Sequence, residues 1–267
     1  MTRIITIANQ KGGVGKTTST VNIAAAIAQA GLTVLVVDLD PQGNASTALG
    51  VDHHEGVAGT YEVLMGDAVI TDVAVPCPDI PGLACVPATI DLAGAEIELV
   101  AQVAREHRLA RALEAYLASD DPADVVFLDC PPSLGLLTLN GLVAATEVLL
   151  PIQCEYYALE GLSQLLRTVE MVREHLNPDL VVSAILLTMY DGRTRLASQV
   201  ADEVRRHFGT RVLRTVIPRS VRVSEAPSYA QTVLTYDPTS SGAVAYREAA
   251  AEVVALGAPE VSSSVST

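Results

Sequence analysis

Short apolar runs alternate along the chain with longer stretches in which apolar positions recur every three or four residues. The short runs have the length of strands, and the longer stretches have the period of amphipathic helices. Strands are predicted as RIITIAN from Arg3, TVLVVD from Thr33, GLACVPA from Gly82, DVVFLD from Asp124, EVLLPIQ from Glu147, LVVSAILLTM from Leu180 and RVLRTVIP from Arg211. Helices are predicted over Lys16–Ala30, Ala95–Leu117, Leu159–His175, Leu196–Phe208 and Gly242–Ala255. This alternation predicts an α/β fold, a doubly wound and mostly parallel sheet with helices on both faces.

The predicted elements form one continuous series without an internal repeat. The runs VLVVD and VVFLD are apolar on both faces, so we expect these strands in the middle of the sheet. No linker divides the series, and we predict a single domain over residues 1–257. The last residues, 258–267, are rich in serine and lack a hydrophobic pattern. They are expected to form a disordered tail.

Composition and charge restrict the classes of function. The net charge of −14 argues against a protein that coats nucleic acid with its whole surface. The four cysteines have no metal-ligand spacing, and we interpret them as buried free thiols. The chain shows no targeting run before the first strand and no apolar stretch of roughly 18 to 20 residues. We therefore expect a cytoplasmic protein that does not enter a membrane.

The residues that join the first strand to the first helix read NQKGGVGKTT. Glycines allow backbone N–H groups to turn inward around phosphate oxygens, and the following helix directs its positive end to the same place. Lys16 is expected along the β- and γ-phosphates, with the Thr17 hydroxyl on Mg²⁺. The common phosphate-loop pattern needs glycine where this chain has Gln10, so the match fails at that position. Strand, loop, Lys-Thr pair and helix together still predict nucleotide binding rather than a structural turn.

The loop resembles the deviant Walker A box, KGGVGKT[ST], of the ParA/MinD superfamily of ATPases. Lys11 and Lys16 are the only lysines in the chain, whereas fifteen residues are arginine. The resemblance implies that Lys11 reaches across a homodimer interface to the ATP of the partner subunit, a role that suits a compact ammonium better than a broad guanidinium. The alternative is a solvated charge beside the loop. The nucleotide contacts implied are Lys11, Gly12, Gly13, Val14, Gly15, Lys16, Thr17 and Thr18.

Two of the apolar strands end in aspartate, at Asp38 and at Asp129. Ligands of open parallel sheets bind beyond the carboxyl ends of the strands, so these carboxylates should converge on the loop. The resemblance implies that Asp129 holds Mg²⁺ through water and that Asp40 orients the attacking water. Asp38 is then a neighbouring carboxylate of the metal site, and the alternative is that it caps the following turn. The catalytic set is thus Lys11, Lys16 and Asp40, and the metal set is Thr17, Asp38 and Asp129.

Five further stretches narrow the resemblance to chromosomal, Soj-type ParA partitioning ATPases, over residues 3–255. They are IDLAGAEIELV from Ile90, CPPSLGLLTLN from Cys130, PIQCEYYALEGL from Pro151, LLTMYDGRT from Leu186 and VIPRSVRVSEAPS from Val216. The resemblance implies an ATP-dependent homodimer that binds double-stranded DNA nonspecifically and associates with the nucleoid. It also implies that a ParB-type centromere-binding protein stimulates hydrolysis. Pro218 and Ser220 match the segment that holds the adenine.

A basic segment reconciles DNA binding with the acidic net charge. Residues 193–222 contain eight arginines and two acidic residues, whereas the rest of the chain is strongly acidic. Such a segment can form a local cationic face for phosphates. The arginines implied in DNA contact are Arg193, Arg219 and Arg222. The alternative is an ordinary solvated helix face.

Three other functions fit parts of the sequence. A MinD-like ATPase of the division site would need a basic amphipathic helix at the C-terminus, but SGAVAYREAAAEVVALGAPE holds one arginine and three glutamates. A nitrogenase-reductase-like ATPase would need cysteines that hold an Fe–S cluster, and only Cys130 stands near the predicted site. A nucleotide-switched regulator of replication or transcription without turnover is the third alternative, against which the intact Asp40 counts.

Overall fold

The computed structural model describes residues 2–155 and 158–256, and this part of the chain is built around an eight-stranded sheet. The seven predicted strands are confirmed. The strands are β1 (Arg3–Ile7), β2 (Val34–Asp38), β3 (Val75–Pro76), β4 (Leu83–Val86), β5 (Val125–Asp129), β6 (Glu147–Gln153), β7 (Val181–Tyr190) and β8 (Val212–Pro218). The additional strand, β3, is two residues long and includes a proline, so it carried no strand signal in the sequence.

The strands lie in the order β3-β4-β2-β5-β1-β6-β7-β8, and every neighbouring pair is parallel except β3 and β4. The two strands that are apolar on both faces, β2 and β5, are fully buried and lie inside the sheet, as predicted. Asp38 and Asp129 are paired in register at the ends of β2 and β5. Ile7, the last residue of β1, is also in register with Asp129, so three strand ends meet at one level.

The helices of the described residues pack on both faces of the sheet. They are α1 (Lys16–Gln29), α2 (Asn44–Ala48), α3 (Thr60–Met65), α4 (Ile70–Val73), α5 (Leu92–Glu98), α6 (Arg108–Leu117), α7 (Leu136–Ala144), α8 (Ala158–His175), α9 (Arg195–Phe208), α10 (Val221–Glu225), α11 (Val233–Tyr236) and α12 (Ser241–Leu256). Short 3₁₀ turns occur at Leu99–Ala101, Arg105–His107, Gly209–Arg211 and Ala226–Tyr229. Four of the five predicted helices are confirmed, with ends that differ by one residue.

The predicted helix Ala95–Leu117 is wrong as a single element. The chain leaves the helical path after the turn Leu99–Ala101, where Gln102 is extended, and Ala104 adopts a left-handed conformation with φ of 50°. A left-handed residue interrupts the i to i−4 hydrogen bonds, so α5 and α6 are separate helices. The helix α7 was not predicted, because its sequence is apolar on nearly all sides and has no helical period.

Alternating side chains of each central strand feed two cores, one on each face of the sheet. On β1, Ile4 packs into one core and Ile5 into the other. Helices α1 and α12 cover the second core, where Tyr246 is the largest fully buried side chain. Helices α6 to α9 cover the first core. This two-layer burial is the arrangement of a doubly wound sheet and agrees with the predicted fold class.

Two further expectations concern the C-terminal tail and membrane-spanning helices. The predicted tail, 258–267, lies outside the described residues, so the tail and the domain boundary at 257 stay predictions. Among the residues that the structure describes, no helix is both long enough and apolar enough to cross a bilayer.

Candidate nucleotide-binding site

The loop between β1 and α1 takes a shape that only glycine adopts readily. Gly13 has φ of 73°, and Gly15, directly before Lys16, has φ of 85° and ψ of 29°. Both values lie in the left-handed region, where a β-carbon would be strained. The two glycines let the loop curl over the start of α1, whose first N–H groups are available to an anion.

The loop is held by side chains from neighbouring strands. The Thr188 hydroxyl at the end of β7 donates a 2.8 Å hydrogen bond to the Val14 carbonyl. Asn9 donates from Nδ2 to the Pro151 carbonyl at 2.7 Å, and its Oδ1 accepts from the Lys11 N–H at 3.0 Å. Sequence reasoning missed Asn9 and Thr188. Asn9 is the last residue of a predicted strand, which was the one available signal for it.

Lys16 lies inside the loop. Its side chain is buried, and Nζ donates to the carbonyl oxygen of Lys11 at 3.3 Å. Burial lowers the pKa of Lys16, while the charges of Asp129 and Asp40 act in the opposite direction. A cation that has lost much of its water in this way is prepared to exchange a carbonyl for phosphate oxygens.

Lys11 points away from the loop interior. Its Nζ lies 3.0 Å from Glu155 Oε2, with the Lys11 side chain 43% exposed. Glu155 Oε1 is in turn 3.8 Å from Arg219 Nη2, so one carboxylate connects the second lysine with a predicted DNA-contacting arginine. Glu155 was not a predicted site residue. The role of Lys11 across a dimer interface remains a prediction.

Asp129 accepts hydrogen bonds from two hydroxyls of α1. Thr17 Oγ1 donates to Oδ2 and Thr20 Oγ1 donates to Oδ1, each at 2.7 Å. Asp129 is fully buried, and burial raises its pKa, although the two hydroxyls and the charge of Lys16 favour the ionised form. Thr20 was missed in the sequence, but its position three residues after Thr17 places both hydroxyls on the same side of the helix.

Asp38 is bonded to the loop that follows it. Its Oδ1 accepts from the Asp40 N–H at 3.1 Å, and Oδ2 accepts from both the N–H and the hydroxyl of Ser46, at 2.9 and 2.8 Å. Burial raises the pKa of Asp38, and the charge of Asp129 raises it further. These contacts are the ones expected if Asp38 caps the turn that follows β2. A metal contact by Asp38 remains a prediction and requires one of these bonds to be replaced.

A cleft of about 330 Å³ opens between the loop and the segment after β2. It contains Asp40, which is 93% inaccessible to solvent and whose Oδ1 accepts from the Gln42 N–H at 3.0 Å. The cleft is lined by Gly12, Gly13, Gly15, Lys16, Thr17, Thr18, Val21, Asp40, Asn44, Thr47, Ala48, Pro132 and Pro227. The predicted catalytic residues Lys16 and Asp40 therefore face the same space, whereas Lys11 lies outside it.

The residues at the cleft suit a magnesium–nucleotide complex. The Thr17 hydroxyl and the Asp129 carboxylate are hard oxygen donors at hydrogen-bond distance from one another, and Mg²⁺ prefers such ligands together with water. A second cavity of about 140 Å³ adjoins the loop and contains Pro218 and Ser220 with Gly15 and Thr18. The two residues predicted at the adenine are thus beside the phosphate loop.

The three predicted DNA-contacting arginines are exposed, and each has an acidic neighbour. Arg193 is 88% exposed and forms two 2.9 Å hydrogen bonds with Asp191, whose pKa is lowered to about 2 by these bonds. Arg222 lies 3.2 Å from Glu225 and 3.4 Å from Asp237. Arg219 is the third, beside Glu155.

The eight arginines of residues 193–222 do not share a single face, which corrects the expectation of one basic segment. Pro218 is in register with Tyr190, and the Arg219 N–H bonds to the Tyr190 carbonyl, so Arg193 and Arg219 both follow strand ends beside the nucleotide loop. Arg205 lies at the far end of α9 and donates to the Arg214 carbonyl near the start of β8. Because α9 returns along the strands, Arg205, Arg206, Arg211 and Arg214 fall at the opposite end of the sheet.

The cysteine prediction is confirmed. The four cysteines are buried free thiols, and burial raises the pKa of Cys77 to about 12 and of Cys154 to about 11. Residues 2–155 and 158–256 contain no group of three histidine, cysteine or acidic side chains arranged to hold a metal ion.

The parallel sheet, the glycine loop, the buried lysine and the carboxylates at the strand ends define the chain as a P-loop protein of the ParA/MinD type. A family model described as an AAA domain matches residues 2–182. The chain is 52% identical over 257 residues to the sporulation initiation inhibitor protein Soj of Bacillus subtilis, which covers 96% of this chain and 100% of Soj. It is 51% identical over 252 residues to the chromosome partitioning protein ParA of Caulobacter vibrioides, with 94% of each covered.

The chain belongs to the ParA/Soj family of chromosome-partitioning ATPases, as the sequence resemblance implied. Solved structures show the same fold. A Mycobacterium smegmatis protein named cobyrinic acid a,c-diamide synthase, with bound ADP and magnesium, superposes with a TM-score of 0.81 and 43% identity, covering 95% of this chain and 94% of that one. The septum site-determining protein MinD of Pyrococcus horikoshii, complexed with Mg-ADP, gives a TM-score of 0.75 at 27% identity, with 95% and 96% covered.

Proposed function

We propose that this protein is a partitioning ATPase that dimerises on ATP, holds DNA without sequence preference and releases it when a ParB-type protein stimulates hydrolysis. The observation that carries the proposal is the different position of the two lysines in the same loop. Lys16 is buried in the cleft, and Lys11 extends outward from the same loop. The relatives named Soj and ParA, at about half identity over nearly the whole chain, support the same function.

Within the cleft, four residues have separate tasks. Lys16 would bind the β- and γ-phosphates, and Thr17 and Asp129 would hold Mg²⁺. Asp40 would orient the attacking water, and the position of its buried carboxylate at the cleft supports this role. When bound there, Mg²⁺ would supply the positive charge that offsets the charge developing on the phosphate oxygens. The protein contributes position and electrostatic stabilisation, which is the main source of catalysis in phosphoryl transfer.

The proposed dimer gives Lys11 a function that its own subunit does not use. Its ammonium rests on an exposed carboxylate, and such surface ion pairs contribute little to stability. The side chain is therefore free to leave Glu155 for a more highly charged partner. The triphosphate in the second subunit is that partner, and ATP in this way joins the two copies.

DNA binding is assigned to the nucleotide end of the sheet. Arg193, Arg219 and Arg222 are exposed there, and DNA phosphates would replace their carboxylate neighbours. This exchange makes each contact weak and sensitive to salt. Dimerisation doubles the number of contacts, so useful affinity arises only in the ATP state. We further propose a cytoplasmic protein that associates with the nucleoid through this surface.

Sedimentation with DNA tests the proposal. The protein is mixed with nonspecific double-stranded DNA and ATP, ADP or no nucleotide, with and without an N-terminal peptide of a ParB-type protein. Retention with ATP alone and its loss when the peptide is added are expected. Equal retention in all three nucleotide conditions would contradict the switch, and absence of ATP hydrolysis would contradict the enzymatic part.

A further inference from the structure

The segment IDLAGAEIELV, from Ile90, has no role in the nucleotide site described above. It forms α5 and the following 3₁₀ turn. Its inner side is anchored in the core by Leu92, Ala95 and Leu99, each 0% exposed. The burial of these three residues accounts for how the segment is held to the sheet, and it leaves the opposite side of the segment to be explained.

The opposite side is also apolar. Ile90 is 58% exposed, Ile97 77%, Val100 59% and Val103 85%, and we call these four residues the outer stripe. Ile97 and Val100 are three residues apart, the spacing of one side of a helical segment, while Ile90 lies in the turn before α5 and Val103 lies after the 3₁₀ turn. Isolated exposed apolar residues are common, but a row of β-branched side chains along one short segment is typical of a docking surface.

Carboxylates dominate the surroundings of the outer stripe. Asp91, Glu96 and Glu98 belong to the same segment. Glu98 accepts a 2.9 Å hydrogen bond from the Tyr61 hydroxyl, whose pKa is raised by this bond and by the nearby charges of Glu98, Asp67 and Glu62. The surroundings of the stripe are therefore anionic.

The basic groups near the stripe are already engaged. Arg105 donates to Glu106 at 2.9 Å and to the Val100 carbonyl at 3.2 Å. Arg108 donates to the carbonyl oxygens of Leu64 and Met65. A ligand with positive charges therefore meets carboxylates that these two arginines do not neutralise.

The segment is in direct contact with a loop of the nucleotide cleft. Glu96 Oε1 lies against Gly135 and occupies the space that a β-carbon at this position would need. Oε1 is buried and accepts no hydrogen bond within the described residues. Gly135 precedes α7 and follows Leu134, which is 38% exposed, and Pro132 of the same loop lines the cleft. The segment that carries the outer stripe thus contacts a loop that reaches the cleft.

We propose that the outer stripe binds a basic amphipathic segment of a partner protein. Its apolar side chains would cover the stripe, and its lysines or arginines would meet Asp91, Glu98 and the acidic residues around Tyr61. A second copy of this chain is disfavoured, because two stripes face to face would bring the same negative charges together. Within the proposed function, this basic segment belongs to the partner protein that stimulates hydrolysis. The identity of the partner rests on the proposed function, whereas the docking surface does not.

Fluorescence anisotropy with a synthetic peptide tests the docking surface. The labelled peptide has leucines at one helical face and lysines elsewhere, and a peptide of the same composition with scrambled order controls for charge alone. The double variant Ile97→Ser/Val100→Ser should bind the amphipathic peptide about tenfold more weakly, as expected for removal of a central apolar contact. The control Val244→Ser, which changes a 44% exposed valine on α12, outside the stripe, should bind as the parent does.

Three results would overturn the proposal. They are equal affinity of the double variant and the parent, equal affinity for the scrambled peptide, and a peptide-free self-association that the double variant loses in sedimentation velocity, which would assign the stripe to a second copy. Circular dichroism shows whether the variant is folded, and the single variant Val103→Ser, at the most exposed position, provides a milder test. ATP hydrolysis is measured without peptide, so a failure of the proposed function is visible separately.

Discussion

The hydroxyl of Thr20 donates a 2.7 Å hydrogen bond to Oδ1 of Asp129, and both groups are buried. Thr17, one turn earlier, donates to the other oxygen of the same carboxylate. We expect nucleotide and metal binding to change the hydrogen bond from Thr17 but not the one from Thr20. The Thr17 hydroxyl is a predicted metal ligand, whereas Thr20 has no contact with the cleft and keeps Asp129 oriented whether or not nucleotide is bound.

Substitution of Thr20 tests this positioning role. Thr20→Val leaves a buried carboxylate oxygen unpaired and should lower the free energy of unfolding by about 1–3 kcal/mol. It should also raise the Mg²⁺ concentration needed for half-maximal hydrolysis, because Asp129 is less well oriented. Thr20→Ser retains the hydroxyl and should restore the parent's magnesium dependence. A valine variant with unchanged magnesium dependence would show that the bond serves stability alone.

Removal of the buried lysine should abolish useful nucleotide affinity. Lys16→Ala takes away the cation that the loop encloses, and we expect binding of a fluorescent ATP analogue to weaken by about 100-fold, or roughly 3 kcal/mol. Lys11→Ala is the matched control, since it removes the neighbouring lysine outside the cleft and should leave monomer binding largely intact. Similar losses for the two variants would mean that the two lysines do not have separate roles.

Charge reversal distinguishes the two groups of arginines. Arg219→Glu should weaken ATP-dependent DNA retention by about tenfold and should reduce its salt dependence, because a phosphate contact is lost in each subunit. Arg214→Glu makes the same change at the other end of β8, where Arg214 is 92% exposed. It should retain DNA as the parent does. The opposite ranking in a filter-binding titration would move the DNA surface to that end.

One ion pair makes stability depend on pH. Arg3 donates from Nε and Nη2 to the two oxygens of Glu147, at 2.7 and 2.8 Å, and both side chains are less than one-fifth exposed. Burial alone would raise the pKa of Glu147, but the bonds from Arg3 and Ser183 bring it below its usual value. The resulting stabilisation is present above the unfolded pKa of about 4.3 and is lost as the pH falls through the lower folded pKa.

Glu147→Gln should therefore lower the free energy of unfolding at neutral pH by about 1–3 kcal/mol and flatten its decline in acid. The control is Glu170→Gln, which breaks an exposed pair with Arg173 and should cost less than about 1 kcal/mol. Urea titrations at several pH values measure both variants. If Glu147→Gln lost as much stability in acid as the parent, the pH dependence would have another source.

Most of the fold could be predicted from the sequence because the strands of a buried parallel sheet are short, apolar and bounded by turns. The helix boundary that failed, within Ala95–Leu117, depends on a left-handed Ala104, for which alanine gives no signal. The helix α7 was missed for a related reason: it is mostly buried, so its apolar residues have no period.

The site was predictable where residue type and chemistry coincide, as in Lys16, Thr17 and Asp129. Residues that act by holding others, such as Thr20 and Asn9, carry no such signature. The prediction that residues 193–222 form one basic face was wrong because it counted charge along the chain. Helix α9 and strand β8 run in opposite directions, so Arg193 and Arg205 lie at opposite ends of the sheet. Only the spatial arrangement of the elements shows that division.

Sedimentation velocity of Lys11→Ala in the presence of ATP and Mg²⁺ tests most directly whether the second lysine joins two subunits through ATP. Asp40→Ala is introduced into both the parent and the variant, so that hydrolysis does not remove the ATP state during the run. We expect a species of twice the monomer mass for Asp40→Ala and a monomer for Lys11→Ala/Asp40→Ala, with ATP bound in both. A dimer of undiminished stability in the double variant would contradict it.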